Sequence, residues 1–330
     1  MKSEGHAEAS PCEQALAAWC ERFPVSSSGR VAVAYSAGAD STALLLAAAS
    51  RWPGRVTALH VHHGLQAAAH AFETHARAFS ERHGVPLQVM HVDASHEPGQ
   101  SPEDAARQAR YAALADMAHS ARAVCVLLGQ HADDQAETLL LALSRGAGLP
   151  GLASMSERFE RHGVAFGRPL LATPTATLRR WLLDHGHPFV EDPSNADERF
   201  TRNRIRAVLM PAWDACFPGF RPMLARSARH AAQAQRLLDE LAAIDLARTG
   251  VPPAIDALQA LSRDRQGNAL RAWLKQEGVA ASAAQLDELL DQIADCTTRG
   301  HGIRLKVALG LVSRQGAHLR YLPPLQPPTL

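Results

Sequence analysis

Lysine is nearly missing from this 330-residue sequence: only three of its 34 basic residues are lysines. The others are arginines, whose planar guanidinium groups bind phosphates and carboxylates through paired hydrogen bonds. Acidic residues number 33, so the formal net charge is only +1. Phosphate contacts and salt bridges are both open roles for the arginines, and a bias in genome composition explains their number equally well.

Paired cysteines and long apolar runs are missing as well. The five cysteines form no C-x-x-C pair, which argues against a zinc ribbon and against a disulfide framework. The most apolar run near the N-terminus, residues 43–49, is far too short to cross a bilayer, and we find no signal peptide. We therefore expect a cytoplasmic protein with no membrane contact.

A chain of 330 residues is longer than one hydrophobic core usually supports, so we expect two domains. Between residues 31 and 144, short β-type runs alternate with longer helical patterns, which is typical of a parallel sheet covered on both faces. We predict strands at residues 31–35, 55–61, 86–91 and 123–128, and helices at residues 39–50, 70–83, 102–119, 133–144 and 177–185. The predicted fold class is α/β, with a doubly wound parallel sheet.

Near residue 218 the pattern changes to helices rich in alanine, leucine and arginine. We predict helices at residues 221–248, 262–277 and 282–295, and strand-like runs at residues 303–309 and 318–322. The predicted organisation is an N-terminal extension with a helix at 1–29, a catalytic domain at 30–217, a mainly helical second domain at 218–322 and a proline-rich tail at 323–330.

The turn after the first predicted strand carries the strongest chemical signal. It reads Ser36-Ala37-Gly38-Ala39-Asp40-Ser41. Backbone N–H groups at such a turn, followed by a helix, suit an anionic phosphate, and the two serine hydroxyls add donors. Gly38 permits close approach of a ligand, and Asp40 can hold a magnesium ion beside the phosphates. A strand-to-helix turn capped by serine is the alternative.

Acidic residues follow the fourth predicted strand, in the stretch GQHADDQAET at residues 129–138. Asp134 and Glu137 are three residues apart at a predicted helix start, so they share a face and can bind magnesium or orient an attacking amine. Asp133, Asp134 and Glu137 are also ordinary residues for the first turn of a helix, where they favour the macrodipole. Taken singly, each carboxylate fits this structural role better.

Histidines lie at the end of the second predicted strand, at positions 60, 62 and 63. A polar strand end is the ordinary interpretation, and a cluster of histidines can also bind a metal ion. Metal binding is the less favoured interpretation, because no cysteine or carboxylate lies nearby in the sequence to complete a tetrahedral set of ligands.

Arginines recur at helical spacing in two further places. Arg107, Arg110 and Tyr111 share one turn, where the guanidiniums suit phosphate or an intrahelical pair with Glu103. Arg202 and Arg206 are four residues apart on a predicted helix. The stretch from residue 199 to residue 236 contains eight arginines and only one acidic residue. This local excess predicts an RNA contact, with a solvated helix face as the alternative.

In combination these motifs resemble those of a known family. The first turn resembles the S-G-G-x-D-S loop of the N-type ATP pyrophosphatases, the PP-loop superfamily, with Ala37 in place of a glycine. The strings HADDQAET at residues 131–138, EDPSN at 191–195 and RNRIR at 202–206 resemble segments of the tRNA(Ile)-lysidine synthases. The resemblance covers about residues 30–215 and extends more loosely to residue 321.

The resemblance implies an adenine nucleotide alpha hydrolase-like fold and a two-step reaction. The wobble cytidine of tRNA(Ile) with a CAU anticodon would attack ATP through O2 and release pyrophosphate, and free L-lysine would then displace AMP. The implied cofactors are ATP and Mg²⁺, and the mainly helical second domain would bind the tRNA. The oligomeric state stays open between a monomer and a homodimer.

The resemblance also implies roles for single residues. The implied catalytic residues are Asp40, Arg110, Asp134 and Glu137, of which Asp40 and Asp134 would bind the metal ion. The implied nucleotide-binding residues are Ser36, Ala37, Gly38, Ala39, Asp40, Ser41, His60, His131, Arg202 and Arg206. At position 37, either the backbone is one that alanine tolerates or activity is reduced.

Two other functions remain open. One is a different PP-loop ligase, although thiolation of tRNA usually needs cysteine pairs and amidation needs a source of ammonia. The other is a non-catalytic RNA-binding protein on a decayed enzyme scaffold, which Ala37 alone suggests. The presence of Asp40, Asp134 and Glu137 weighs against decay.

Overall fold

The structure, a computed structural model, describes residues 9–62, 69–92, 102–192, 197–298 and 300–324. His63 and residues 193–195 of the predicted motifs lie outside the described residues. The chain divides into two compact units, Met1–His230 and Ala231–Leu330, and the boundary expected near residue 218 precedes this division. Each unit is described by itself.

The first unit alternates strands and helices, as the sequence pattern indicates. Its strands are β1 (Arg30–Ala34), β2 (Val56–His62), β3 (Leu87–His91), β4 (Ala123–Leu127), β5 (Arg158–Arg161) and β6 (Val164–Gly167). Its helices are α1 (Pro11–Arg22), α2 (Ala39–Arg51), α3 (Ala69–Arg82), α4 (Pro102–Ser120), α5 (Ala132–Ser144), α6 (Leu149–Leu152), α7 (Thr175–Asp184), α8 (Thr201–Arg204) and α9 (Met210–Cys216). A π-helical turn, Ile205–Leu209, joins α8 to α9.

The six strands form one sheet in the order β3-β2-β1-β4-β6-β5. All neighbours pair in parallel except β5 and β6, which pair antiparallel. His162 and Gly163 join these two strands with φ values of 50° and 71°, and two successive positive φ angles are typical of a tight hairpin turn. The predicted α/β class is confirmed, and the antiparallel edge is a feature that the sequence pattern did not indicate.

Both faces of the sheet are buried, which explains the nearly continuous apolar runs of its strands. Along β1, Val31 and Val33 belong to the hydrophobic cluster on one face, while Ala32 belongs to the cluster on the other. Leu44 of α2 packs into the first cluster, and Tyr111 of α4 packs into the second. Because β1, β2, β3, β4 and β6 run in parallel, their carboxyl ends meet at one edge of the sheet. The turns before the helices lie at this edge.

The second unit is helical with a small sheet, as predicted. It contains the end of α10 (Phe220–Thr249), followed by α11 (Ile255–Gln259), α12 (Arg263–Gln276), α13 (Ala283–Ala294), β7 (Arg304–Val307), β8 (Gly310–Gln315) and β9 (His318–Leu322). The three strands form an antiparallel sheet in chain order, and Trp273, Leu289 and Val312 lie in the core of the unit. Within the described residues, no helix is both long and apolar enough to cross a membrane.

Candidate active site

The turn between β1 and α2 is held closed by its own serines. The Ser41 hydroxyl donates to the Gly38 carbonyl at 3.0 Å and accepts from the Ser36 N–H at 3.2 Å. Gly38, the N-cap residue, has no side chain to cap the helix, and the first N–H groups of a helix lack partners within it. Those N–H groups are therefore suited to bind an anion.

Ala37 occupies the turn in a left-handed backbone conformation, with φ 68°. This conformation costs an alanine about 1–2 kcal/mol relative to the right-handed one. The Ala37 carbonyl accepts a hydrogen bond from the Val190 N–H at 2.9 Å, and the residue is fully buried. The chain thus keeps a positive φ of the kind that glycine adopts most easily, and the surrounding contacts offset the strain.

A buried imidazole joins the turn to the start of α5. The Nε2 atom of His131 lies 3.5 Å from Asp40 Oδ2 and 3.3 Å from Asp134 Oδ2. Burial opposes the protonated form of His131, but the carboxylates of Asp133, Asp134 and Asp40 outweigh it and raise the pKa of the ring above its ordinary value. In its protonated form this ring attracts both carboxylates, which lie on different elements.

The three aspartates of this cluster differ in accessibility. Asp40 and Asp134 are 25% and 21% exposed, whereas Asp133 is only 7% exposed. Asp133 accepts hydrogen bonds from the Thr175 N–H at 3.0 Å and from Arg221 Nε at 2.5 Å. Asp133 therefore holds Thr175 and Arg221, at the starts of α7 and α10, which leaves Asp40 and Asp134 to meet a ligand.

Glu137 lies one turn further along α5, with its carboxylate buried. Arg206 Nε donates to Glu137 Oε1 at 2.8 Å, and Arg202 Nη1 lies 3.9 Å from Oε2. Arg206 Nη2 is also 3.4 Å from Asp134 Oδ1. Burial raises the pKa of Glu137 above its usual range, although the positive charge of Arg206 acts in the opposite direction. The two arginines thus reach the acidic cluster from α8 and the π-helical turn.

His60 lies beside the turn rather than in the acidic cluster. Its Nδ1 is 2.8 Å from the carbonyl of Tyr35, the residue that precedes Ser36. Burial lowers the pKa of His60, although this hydrogen bond favours the protonated form. A neutral ring with its proton on Nδ1 fits this contact and leaves Nε2 as an acceptor.

Arg110 lies on α4, with its guanidinium 5.9 Å from the centroid of the Tyr111 ring. A chain of contacts leads from there to the cluster. The Tyr111 hydroxyl accepts from Arg168 Nη2 at 3.4 Å, and Arg168 Nε donates to Gln130 Oε1 at 2.5 Å, next to His131. Along this chain of contacts, Tyr111, Arg168, Gln130 and His131 lie between Arg110 and Asp134.

The structure brings most of the predicted residues together and adds two that the sequence did not single out. Thr175, at the start of α7, donates its hydroxyl to Asp40 Oδ1 at 2.6 Å, and no local signal marked it. Arg221, the partner of Asp133, was visible only as one of the eight arginines between residues 199 and 236. Both contacts join residues that are far apart in the sequence.

Comparison with known families identifies one matching domain family in each of the two units. Residues 9–213 match the PP-loop domain family, and residues 254–319 match the TilS substrate binding domain. The first match contains every predicted site residue. The second lies wholly within the second unit.

Three similar proteins from different bacteria are all named tRNA(Ile)-lysidine synthase. The chain is 61% identical over 299 residues to the tRNA(Ile)-lysidine synthase of Polaromonas naphthalenivorans (strain CJ2), and the match covers 91% of each chain. It is 40% identical to that of Bordetella pertussis, covering 84% of this chain and 90% of the relative. The match to Burkholderia pseudomallei, at 47% identity, covers 80% of this chain but only 55% of the relative. The chain therefore spans about nine tenths of some relatives and about half of others.

One solved structure supports the fold alone. The U34-tRNA thiolase NcsA from Methanococcus maripaludis superposes with a TM-score of 0.57 at 15% identity, covering 66% of this chain and 77% of the other. Agreement at that level of identity concerns the path of the chain and not its chemistry.

Proposed function

Because the chain belongs to the tRNA(Ile)-lysidine synthase family, we propose that it uses ATP to join L-lysine to the wobble cytidine of a tRNA(Ile) with a CAU anticodon. The observation that supports a working site most directly is the convergence of Asp40 and Asp134 on one nitrogen of His131, beside a turn whose N–H groups suit phosphate. The proposed reaction has two steps.

In the first step, O2 of the cytidine attacks the α-phosphorus of ATP. The bond from O2 to phosphorus forms, the bond between the α-phosphorus and the bridging oxygen breaks, and pyrophosphate leaves. The N–H groups at the start of α2 would bind the pyrophosphate, and Arg202 and Arg206 would offset negative charge on the α-phosphate. Both arginine side chains are partly exposed, at 37% and 39%, so they can turn towards a ligand.

Magnesium fits the donors that this site offers. The carboxylates of Asp40 and Asp134 are partly exposed and flank the same edge of His131, and Mg²⁺ is usually held by one or two carboxylates together with water and substrate phosphates. We assign the ion to these two residues. When bound, it would neutralise charge on the phosphates and on the leaving pyrophosphate.

In the second step, an amine of free L-lysine attacks C2 of the adenylated cytidine. The bond from C2 to nitrogen forms, the bond from C2 to oxygen breaks, and AMP leaves with that oxygen. The lysine ammonium must first lose a proton, and Glu137 would accept it, because burial raises the pKa of this carboxylate above its usual range. A phosphate that draws Arg206 away from Glu137 would free the carboxylate for this role.

A pyrophosphate-release assay tests the proposal. Two transcripts of tRNA(Ile) that differ only at the wobble base are each incubated with enzyme and ATP, with and without lysine. We expect stoichiometric release with the CAU transcript alone, repeated turnover after lysine is added, and the mass of lysidine in the digested RNA. Release that lysine does not change would indicate another PP-loop ligase, and tRNA binding without any release would indicate a decayed scaffold.

A further inference from the structure

Three side chains with metal-binding atoms converge at the β2–β3 side of the sheet. His62 is the last residue of β2, His91 is the last residue of β3, and Glu73 lies on α3. One ligand atom from each of the three lies within 4.8 Å of the other two. The residues are distant in the sequence, so no short motif marks the cluster.

The fold determines this convergence. His62 and His91 are paired positions on neighbouring parallel strands, and their ring centroids are 4.5 Å apart. His91 Nε2 lies 3.4 Å from Glu73 Oε2. Two ligand atoms that are each about 2.0–2.1 Å from a tetrahedral ion lie about 3.4 Å from each other. The imidazole and the carboxylate are thus already at the separation that one shared ion requires.

Glu73 is prepared as a ligand by a neighbouring arginine. Arg77 donates to Glu73 Oε1 from Nε at 2.9 Å and from Nη2 at 2.7 Å, which leaves Oε2 on the side of His91. These hydrogen bonds hold the pKa of Glu73 below its usual range, so the carboxylate is charged at neutral pH. Carboxylates that bind metal ions are commonly held in place by such an outer hydrogen bond.

We propose that His62, Glu73 and His91 form a binding site for a divalent transition-metal ion of the zinc type, with water completing the coordination. Two imidazoles and one carboxylate suit zinc, whereas the carboxylates of Asp40 and Asp134 suit magnesium. His62 is buried and His91 is 63% exposed, so the site opens to solvent on one side. A bound ion would tie the ends of β2 and β3 to α3.

Zinc binding to the full-length protein, stripped of metal and without ATP, tests this site separately from the catalytic reaction. Affinity and stoichiometry are measured by competition with a zinc chelator for the wild type and for His91→Gln, Glu73→Gln and His119→Gln. His119 is an exposed histidine on α4 and serves as the matched control. The exposed His91 can be replaced without disturbing the core, so the test does not depend on a variant that fails to fold.

We expect one zinc ion per chain, at least about tenfold weaker binding in His91→Gln and Glu73→Gln, and unchanged binding in His119→Gln. Cobalt in place of zinc should give the strong visible absorption of a tetrahedral site, and the same two variants should lose it. Equal zinc affinity in all four proteins, or a cobalt spectrum like that of the ion in water, would overturn the proposal. In that case His91 and Glu73 form an ordinary ion pair, with the His62 ring packed beside His91.

Discussion

Arg206 holds Glu137 through a single carboxylate oxygen: Nε donates to Oε1 at 2.8 Å, and Nη2 lies 2.7 Å from the same atom. The Glu137 side chain is only 1% exposed, so water contributes little to the stability of its charge. The arginine is 39% exposed and is therefore the member of the pair that can move. The burial of Glu137 and the exposure of Arg206 therefore link the stability of α5 to the position of Arg206, which we assign to phosphate binding.

A double-mutant cycle tests the energetic coupling of this pair. Arg206→Ala leaves a buried carboxylate, and we expect it to lower the free energy of unfolding by roughly 2 kcal/mol, less than the 3–5 kcal/mol typical of a fully buried pair. The chain should still fold, because Glu137 can take up a proton instead. In a Glu137→Gln background the same substitution should cost less than about 1 kcal/mol. Urea unfolding of the four proteins measures this, and equal costs in both backgrounds would show that the pair is not coupled.

Asp133 gives a prediction for acid stability. Burial opposes its ionisation, but the nearby His131 ring and hydrogen bonds from the Thr175 amide and Arg221 outweigh burial and hold its pKa well below the usual range. An acid with a lowered pKa stabilises the folded state above its unfolded value of about 3.9, and this contribution is lost as the pH falls further. We therefore expect Asp133→Asn to lower stability at pH 7 by on the order of 3 kcal/mol. The variant should also lose less stability than the wild type between pH 4 and pH 2, as urea titrations at each pH would show.

Ala37 predicts an unusual response to glycine. Relief of the left-handed backbone should contribute about 1–2 kcal/mol, whereas the lost methyl burial costs about 0.8 kcal/mol and the freer unfolded chain about 0.4–1 kcal/mol. Ala37→Gly should therefore change the free energy of unfolding by less than about 1 kcal/mol.

The matched control for position 37 is Ala48→Gly, at a buried position inside α2. There no strain is relieved, so both costs remain and about 2 kcal/mol should be lost. Thermal or urea unfolding compares the two variants. If both lose the same stability, alanine at position 37 is under no strain.

The part of the fold that follows from the sequence is the part with clear periodicity. Strands β1 to β4 lie within about a residue of their predicted ranges, because each is an apolar run between turn signals. Strands β5 and β6 have only four residues each, and β5 reads Arg-Phe-Glu-Arg, so neither produces a pattern of its own. The hairpin turn at His162 and Gly163 brings these two short segments side by side as paired strands. Strand β8 was missed because Ala308, with φ 51°, ends the preceding strand where the apolar pattern continues.

For the candidate site as well, the sequence predicts local relationships but not contacts between residues that are far apart in the chain. Motif spacing places Asp134 and Glu137 on one helix face, since that relationship is local. The hydrogen bond from Thr175 to Asp40 joins residues 135 positions apart, and only the folded sheet reveals it. Likewise, metal binding at His62 was disfavoured for want of a nearby carboxylate, and the fold brings Glu73 to it from α3.

Thiol reactivity tests the burial of the cysteines. Cys216 is exposed, whereas Cys12 and Cys125 are buried. Burial raises the pKa of Cys125 to about 12 and that of Cys12 further still, so neither forms the reactive thiolate at neutral pH. We expect iodoacetamide to modify Cys216 in the folded protein and the other two only after unfolding. Peptide mass spectrometry before and after urea treatment measures this, and early labelling of Cys125 would contradict the described packing of β4.

The most direct test of the proposed adenylation site measures adenylation alone, with Asp134 replaced by alanine. Enzyme in excess is mixed with ATP labelled at the α-phosphate and the CAU transcript, without lysine, and the label transferred to RNA is followed with time. The wild type should transfer about one label per tRNA, and Asp134→Ala should transfer none while keeping the unfolding transition of a folded protein. Transfer at the wild-type rate by Asp134→Ala would contradict the claim that the cluster around His131 is the adenylation site.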